Sequence, residues 1–302
     1  MRISLPTESE LEKGSSLGRD AWARLRKNKL AMLSMCFIGL MLIICFIVAQ
    51  LPFIDDPNEQ NLANRFAPPS GDHIMGTDQL GRDLFSRILF GGQISMLVGF
   101  IATGVALLIG ITYGAISGYA GGRTDAIMMR VVDTLYAIPF LVLVIVLKVV
   151  IAGPMEEQLS WMGRFANIVP LFFAIGALGW LTLARITRTQ VMAIKEQEFV
   201  EAATSLGLSK MRILFRHIVP NTLGPAIVYA TLTIPSFILF EASLSYLGVG
   251  IEAPNSSWGI LIKEGADFLI KSKNKEVVTV LREIASGKVS HAPVSEYDAD
   301  EF

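Results

Sequence analysis

Residues 201–221 read EAATSLGLSKMRILFRHIVPN, a charged and polar stretch that lies between two apolar runs. The whole chain of 302 residues is 52 % hydrophobic, and its mean hydropathy is +0.51. Charged residues make up 18 % of it, against about 25 % in ordinary globular proteins. This composition excludes an ordinary soluble fold, so the polarity of one interior segment needs an explanation from what surrounds it.

Five apolar runs are long enough to cross a bilayer as helices, which takes about 20 residues each. They lie near residues 30–52, 94–119, 127–151, 168–186 and 219–241. The first run starts too late for a plain signal peptide and lacks a small-residue cleavage pattern, which predicts an uncleaved anchor. The sequence therefore predicts an all-α, polytopic membrane helical bundle with five spans.

Glycines recur every four residues in the second run, at Gly110, Gly114, Gly118 and Gly122. Residues at this spacing share one face of a helix, and small residues there allow a neighbouring helix to approach closely. We interpret the series as packing between helices rather than as a specific dimer motif.

Several functional classes are excluded by simple counts and motifs. A net charge of −1 leaves no electrostatic footprint for nucleic acid. Two cysteines, Cys36 and Cys45, cannot form a disulfide framework, and His73, His217 and His291 lack metal-ligand spacing. No Walker A pattern, nucleophile elbow or HExxH motif occurs. We therefore expect no enzyme activity and no cofactor bound by this chain.

Basic residues predict the topology, because Lys and Arg next to spans stay in the cytoplasm. Starting with a cytoplasmic N-terminal segment 1–29 places fifteen Lys and Arg residues inside and four in the external loops 53–93 and 152–167. Lys148, near the outer end of the third span, is expected to reach water with its flexible stem. Asp133, near the inner end, is expected to face other helices. The opening stretch becomes cytoplasmic, between the fourth and fifth spans.

Two short helices are predicted within that cytoplasmic stretch. Gly207 would end the first helix, Ser209 would cap the second, and Pro220 would start the fifth span. The first helix has glutamates on its polar face, whereas a membrane-surface helix would be rich in Lys and Arg there, so docking to another protein is favoured. Its predicted apolar stripe consists of Phe199, Val200, Ala203 and Leu206.

A polar stretch in the first external loop is the second candidate site. Thr77 or Asp78 would cap a helix that runs into the second span. This stretch either contacts a substrate-binding protein or braces the fold, and the sequence leaves both alternatives open. Its candidate residues are Gly76, Thr77, Asp78, Gly81, Arg82, Asp83 and Arg87.

The cytoplasmic stretch resembles the coupling-loop motif of permease subunits of ATP-binding-cassette importers. The resemblance rests on EAA at 201–203, on Gly207 and on RHIVPN at 216–221, a form typical of the dipeptide, oligopeptide and nickel branch, with His217 where the generic pattern has an aliphatic residue. Three further stretches agree, and they read MGTDQLGRDLFSRILFGGQISMLVG (75–99), SGYAGGRTDAIMMRVVDTLYAIPF (117–140) and FEASLSYLGVGIEAPNSSWGILI (240–262).

The resemblance implies a type I importer permease fold in a bacterial cytoplasmic (inner) membrane, with 94–266 as the permease core and 190–218 as the coupling loop. It also implies partners: a second homologous permease, two cytosolic ATPase subunits that hold ATP and Mg²⁺, an extracytoplasmic peptide-binding protein, and membrane lipid. The residues that it implies for the contact with the ATPase are Glu201, Ala202, Ala203, Gly207, Arg216, His217, Pro220 and Asn221.

The predicted activity is transport of dipeptides or oligopeptides, with a nickel or other small-solute importer of the same branch as the alternative. A secondary transporter is a weaker alternative, because clear internal repeats and mid-membrane charges are not evident. Residues 267–302 depart from the family, which normally has a sixth span after an external loop ending near 266. This tail contains no run long enough to span, and we expect a short amphipathic helix near 276–285 followed by a disordered acidic end.

Overall fold

The computed structural model describes residues 17–252 and 254–285, which form helices joined by turns and loops. Within these residues the only pairing of extended backbone is an isolated antiparallel bridge between Thr77 and Asp83. The predicted all-α class is confirmed. The chain divides into two compact units, residues 1–55 and residues 56–302.

The first unit contains α1 (Leu17–Lys27), α2 (Lys29–Phe46) and a single 3₁₀ turn at Val48–Gln50. Asn28 separates the two helices and caps α2, because its side-chain oxygen accepts a hydrogen bond from the backbone N–H of Ala31 at 3.2 Å. The most apolar 18 consecutive residues within 29–50 have a mean hydropathy of 2.8, as expected for the predicted anchor.

The second unit is built around α3 (Leu84–Ala120), which is 37 residues long. Asp83 is its N-cap and accepts a hydrogen bond from the backbone N–H of Ser86 at 2.7 Å. The prediction that Thr77 or Asp78 caps this helix was wrong, because the Asp78 carboxylate is used within the preceding turn, where it accepts from the N–H of Leu80. The predicted external loop also ends ten residues too late, at 93, because α3 already begins at Leu84.

The third apolar run forms two helices rather than one straight span. α4 (Gly122–Ala137) and α5 (Phe140–Gln158) meet at an angle of 97°. Pro139 has no N–H to donate and disfavours helical backbone at the residue before it, so Ile138 is extended, with φ −91° and ψ 134°. A short 3₁₀ segment, Ser160–Phe165, follows α5.

The fourth apolar run is also interrupted. α6 (Val169–Gly179) and α7 (Leu181–Lys195) are bent by 40° at Trp180. α7 packs along α3, and the glycine series explains how closely the two approach: a Cβ on Gly114 would lie 2.3 Å from the carbonyl oxygen of Ala184. Gly110 and Gly118 face α7 in the same way, whereas Gly122 has open space around it and begins α4. The packing prediction is therefore confirmed for three of the four glycines.

The segment between α7 and the last apolar run contains α8 (Glu198–Ser205), α9 (Lys210–Ile213) and a π turn at Leu214–Ile218. The π turn leads directly into α10 (Val219–Tyr246), so that residues 210–246 form one continuous helical segment. Pro220 lies in the first turn of α10, as predicted for the start of the fifth span, although no break separates α10 from the π turn. The predicted coupling loop 190–218 begins later than expected, because α7 continues to Lys195.

The last helix, α11 (Trp258–Ala285), begins inside the stretch predicted to be a loop up to residue 266, and this boundary prediction was wrong. The predicted helix at 276–285 is the end of α11, while the predicted acidic end lies outside the described residues. In the described part of the chain, α11 is not among the helices that are both long and apolar enough to span a membrane.

Three helical segments meet that requirement, and there are five if each bent pair crosses the membrane once. The main apolar core of the second unit lies between α3, α5, α6, α7 and α10. A second, smaller apolar cluster lies where α8, α9 and the π turn meet α3 and α7. The smaller cluster contains the buried side chains of the predicted coupling loop.

Candidate functional site

The predicted coupling loop, which we refer to below as the coupling loop, contains α8, whose two faces differ in exposure. Val200 and Ala203 are 4 % and 7 % exposed and pack inward. Glu201, between them, is exposed. Phe199 and Leu206, which the sequence pattern assigned to the buried stripe, are 39 % and 82 % exposed. The stripe prediction was therefore right for one pair at i, i+3 spacing and wrong for the other, because so short a helix rests on its neighbours along one narrow line.

The buried face of the coupling loop belongs to the smaller apolar cluster. In this cluster, side chains from α8, α9 and the π turn meet the end of α3 and the end of α7 without an intervening polar layer. The coupling loop is therefore packed against two long helices, and a displacement of α8 would be transmitted to them rather than absorbed by a flexible link. The buried members are Ala115, Val191, Ile194, Val200, Ala203, Ile213, Leu214 and Ile218.

Gly207 ends α8 in a Schellman motif. Its φ is +75°, a left-handed conformation that side-chain-bearing residues adopt only at a cost. The N–H of Gly207 donates to the carbonyl of Thr204 at 2.9 Å, and the N–H of Leu208 donates to that of Ala203 at 3.3 Å. Leu208 then packs on the smaller apolar cluster. The bend predicted at Gly207 is present, and no atom lies within 4 Å of where a Cβ would be.

The second half of the coupling loop leads into α10 through the π turn. Ser209 stands at the N-cap of α9, as predicted, although its side chain makes no capping hydrogen bond. Pro220 cannot donate a backbone hydrogen bond, and widening the preceding turn is one way for a helix to accommodate the proline. The Asn221 side-chain amide donates to the carbonyl of the half-buried His217 at 2.6 Å. Pro220 and Asn221 therefore shape the joint between the coupling loop and α10.

The outward face of the coupling loop is a mixture of apolar and charged side chains. Leu206 and Met211 are 82 % and 61 % exposed, and Phe215 is 43 % exposed. Ala202 and Glu201 lie on the same exposed side of α8. Exposed apolar groups with charges around them are typical of a protein–protein contact. The charged members that accompany them from α9 and the π turn are Lys210, Arg212 and Arg216.

The second candidate site is the polar stretch before and at the start of α3. It differs from the coupling loop because its charged side chains form ion pairs within the chain. Arg87 is only 2 % exposed, and its guanidinium lies 2.7 Å from the carboxylate of Asp78 and 2.5 Å from that of Glu264. Arg82 pairs with Asp78 at 2.7 Å as well and approaches Glu264 at 3.4 Å. We call Asp78, Arg82, Arg87 and Glu264 the arginine cluster. It ties the loop before α3 to α3 and to α11.

The environment of the arginine cluster changes the pKa of the Asp78 carboxyl. Burial by itself would raise its pKa, but hydrogen bonds from the backbone N–H groups of Arg82 and Leu80 stabilise the ionised form. The Arg82 guanidinium adds a further favourable charge, and the net result is a pKa below the ordinary value for aspartate. Asp78 therefore remains ionised and paired at neutral pH.

Two glycines allow the loop of this site to fold tightly. Gly76 and Gly81 have φ values of +74° and +73°. A Cβ on Gly81 would lie 1.8 Å from the carbonyl oxygen of Asn61, and one on Gly76 would lie 2.4 Å from that of Ala67. Thr77 is buried and donates to the carbonyl of Asn64. These predicted site residues thus make internal contacts in the chain.

Glu264 was missed by the sequence reasoning, although a signal was present. It is a carboxylate in α11 on the same helical face as Leu261 and Phe268, at i, i+3 and i, i+4 spacing. A charged residue within an apolar stripe usually has an oppositely charged partner. The buried Arg87 supplies it.

Lys148 was expected to reach water, and this expectation was wrong. Its side chain is buried, and its Nζ donates to the carbonyls of Val249 and Gly250 at 3.2 and 2.7 Å. It also pairs with Glu252 at 3.2 Å. The loop after α10 covers the lysine, so that α5 is held to that loop.

Two further ion pairs hold α4 to α7. Arg188 forms a two-pronged pair with Asp125, whose carboxylate also accepts from the Ser117 hydroxyl at 2.6 Å. Asp133, which was expected to face other helices, is 59 % exposed and lies 2.7 Å from the guanidinium of Arg185. Planar guanidinium groups suit such pairing because they present several donors in a fixed geometry.

Comparison with known proteins identifies the family to which the chain belongs. Residues 110–281 match the model described as binding-protein-dependent transport system inner membrane component. Residues 16–69 match the N-terminal TM domain of oligopeptide transport permease C. The chain belongs to this family of inner-membrane transport components, and the predicted membership is confirmed.

Individual relatives extend the likeness over most of the chain. The oligopeptide transport system permease protein OppC of Bacillus subtilis is 45 % identical over 258 residues, which cover 85 % of this chain and 80 % of the relative. The dipeptide permease DppC of the same organism is 42 % identical and covers 84 % and 75 %. A probable D,D-dipeptide permease, DdpC of Escherichia coli, is 35 % identical and covers 82 % and 78 %.

Proposed function

We propose that this chain is the membrane-spanning permease subunit of an ATP-driven importer of peptides, and that its coupling loop docks on a separate ATPase subunit. The observation that carries the proposal is the division of the coupling loop into two faces. One face is buried against α3 and α7, and the other presents Leu206, Met211 and Phe215 with charges around them.

The mechanism follows from this packing. A docked ATPase that moves on binding nucleotide pushes on the exposed face, and the buried face transmits the movement to α3, α7 and α10. The Schellman motif at Gly207 and the joint at Pro220 and Asn221 fix the angle of α8 relative to α10. The function of the loop requires both a surface for the partner and a stiff connection to the spans.

The peptide substrate is proposed from the relatives, which are named as transport permeases for oligopeptides, dipeptides and D,D-dipeptides. The further partners proposed are a second homologous permease, two ATPase subunits that hold ATP and Mg²⁺, and a peptide-binding protein outside the membrane. The proposed orientation places the N-terminus and the coupling loop in the cytoplasm, on the basis of the asymmetric distribution of Lys and Arg.

Paired cysteine variants test the orientation and the docking together. Cys36 and Cys45 are first replaced by alanine, and then a single cysteine is introduced as Ser205→Cys or Asp72→Cys, both at exposed positions. In whole cells a membrane-impermeant maleimide is expected to label Asp72→Cys and to spare Ser205→Cys. External labelling at position 205 would contradict the mechanism.

The same Ser205→Cys variant, purified with its co-expressed partners, should form a crosslink to the ATPase with a short bifunctional reagent. Asp72→Cys should form none. Uptake of radiolabelled trialanine into vesicles then tests the transport activity. ATP is supplied on the side of the membrane where the coupling loop lies. A complex that crosslinks but takes up no peptide of two to five residues would refute the peptide substrate and leave the docking intact.

A further inference from the structure

A cavity of about 460 Å³ lies between two interrupted helix pairs and α10 in the second unit. The first interruption is the 97° bend at Ile138 and Pro139, and the second is the 40° bend next to Gly179. The third wall is the stretch 229–237 of α10, which contains the internal proline Pro235. The volume is in the range of small-molecule sites.

The interruptions expose main-chain groups to this cavity. Where α4 ends, the carbonyl of Leu135 accepts from the N–H of Ile138 at 3.3 Å, because Pro139 has no N–H to donate. The carbonyls that follow it in α4, and the first N–H groups of α5, have no partner one turn further along their own helix. Non-helical backbone in a spanning segment is tolerated only if it is buried in protein or lines a polar cavity. The wall at Tyr136, Ile138 and Phe140 therefore offers both acceptors and donors.

Hydroxyl groups add to these polar groups. The hydroxyls of Tyr136 and Thr182 are hydrogen-bonded to each other across the bends of the two helix pairs. Thr233 and Ser236 donate to carbonyls of their own helix, at 2.9 and 3.2 Å, so that their lone pairs remain as acceptors. Tyr229 is the remaining hydroxyl in the lining.

The rest of the wall is apolar, and the described lining residues include no charged side chain. Leu178, Leu181 and Phe237 form much of it, and the ring of Phe237 occupies space that a Cβ on Gly179 would fill, at 2.2 Å. Charges occur just beyond the lining: the Arg185 guanidinium lies 4.2 Å from the centre of the Tyr136 ring. Neutral hydrogen-bonding groups in an apolar wall do not discriminate between acidic and basic side chains.

We propose that this cavity binds the main chain of the peptide in transit, and that Tyr136, Thr182 and Ser236 contact it. The inference rests on the proposed peptide substrate and deepens it. A peptide main chain alternates N–H donors and C=O acceptors, which matches a wall of exposed backbone groups and hydroxyls. Because the cavity contacts the peptide without a charged side chain, it binds peptides that differ in their side chains about equally well.

Photocrosslinking in the assembled complex tests the location. p-Benzoylphenylalanine replaces Ser236 in one variant and Ser243 in the other, with radiolabelled trialanine, the binding protein and ATP present. Both serines lie on α10 and bond to the carbonyl four residues earlier, but Ser243 is outside this cavity. Label is expected on the Ser236 variant and not on the Ser243 variant. Equal labelling, or no label at 236 in a complex that transports trialanine, overturns the proposal.

Transport rates test the chemistry. The variants Tyr136→Phe, Thr182→Val and Ser236→Ala should each lower the maximal uptake rate about 3- to 10-fold at saturating binding protein, which corresponds to one lost hydrogen bond. The loss should be equal for trialanine, triglutamate and trilysine. Ser243→Ala, outside the cavity, should match the unmodified protein both in uptake and in ATP hydrolysis without substrate.

The outcomes separate this proposal from the proposed function. If the unmodified complex takes up no peptide, both proposals fail. If it takes up peptides but the three cavity variants match Ser243→Ala, only the cavity proposal fails. A loss that differs strongly between triglutamate and trilysine also overturns the cavity proposal, because the site would then recognise side chains.

Discussion

The arginine cluster and the coupling loop were predicted as sites from similar signals, polar segments in an apolar chain, but their side chains are used in opposite ways. In the arginine cluster, Asp78, Arg82 and Arg87 are all buried and bind one another or Glu264. In the coupling loop, Glu201 and Arg216 are exposed, and the side chains that pack inward are apolar. A polar segment therefore indicates a partner surface only where its charges remain available.

This comparison has an energetic consequence. Groups buried in the arginine cluster are coupled to the folding of the second unit, because removing one leaves its partners as uncompensated charges. Groups on the outer face of the coupling loop have little effect on folding, and their loss should appear only in the assembled complex. Variants at the two sites should thus separate stability from coupling.

Arg87→Ala should have the largest effect. It removes the closest partner of Glu264 and one of the two guanidinium partners of Asp78, and breaking a buried ion pair from one side costs about 3–5 kcal/mol of the free energy of unfolding. Thermal unfolding of the purified protein in detergent measures the loss. Arg65→Ala is the matched control, since Arg65 makes an exposed hydrogen bond to the carbonyl of Gln79. Equal stability of both variants would remove the distinction between the two regions.

Asp78→Asn should have a smaller effect, because Arg87 and Arg82 keep Glu264 as a partner. The pKa of Asp78 is lowered in the folded state, so ionised Asp78 stabilises the fold above the unfolded pKa of about 3.9. This contribution is lost as the pH falls through the folded pKa. The difference in stability between the unmodified protein and Asp78→Asn should therefore be full at pH 7 and shrink below pH ~4. A difference that grows on acidification would contradict the assignment.

The sequence predicted the elements that depend on local chemistry. The apolar runs, the glycine face of α3 and the bend at Gly207 follow from composition and spacing, and all three are present. The sequence did not predict the environment of side chains whose partners are distant along the chain. Lys148 is buried because the loop after α10 folds over it, and Arg87 is braced by Glu264, almost two hundred residues away. The right-angle bend at Pro139 was also missed, since a proline by itself does not set an angle.

Gly207→Val should uncouple transport while leaving folding nearly intact. No atom obstructs a Cβ at this position, so the cost is the left-handed backbone alone, about 1–2 kcal/mol. A changed angle at the end of α8 would misplace Glu201 and Leu206 in the partner surface. We expect peptide uptake to fall several-fold relative to ATP hydrolysis in reconstituted vesicles.

Gly207→Asn is the matched variant for this position, because asparagine tolerates the left-handed conformation better than valine does. It should recover most of the coupling. Equal coupling in the valine and asparagine variants would show that the backbone conformation at Gly207 does not set the angle of α8 relative to α10.

Glu201→Ala should have the smallest effect, and it isolates the outer face of the coupling loop. Glu201 is exposed on α8, so its removal creates no cavity and no unpaired buried group, and the unfolding temperature of the isolated permease should not change measurably. In the complex, an exposed charge contact is worth under about 1 kcal/mol, so the affinity for the ATPase should fall less than about 5-fold. That loss should diminish as salt is raised, since screening weakens exposed charge pairs. Ala203→Leu makes the contrast: it overfills the buried face beside Val200 and should lower the unfolding temperature even without the ATPase. If Glu201→Ala instead destabilised the isolated permease as much as Ala203→Leu does, Glu201 would be a structural residue like those of the arginine cluster, and the contrast between the two regions would not hold.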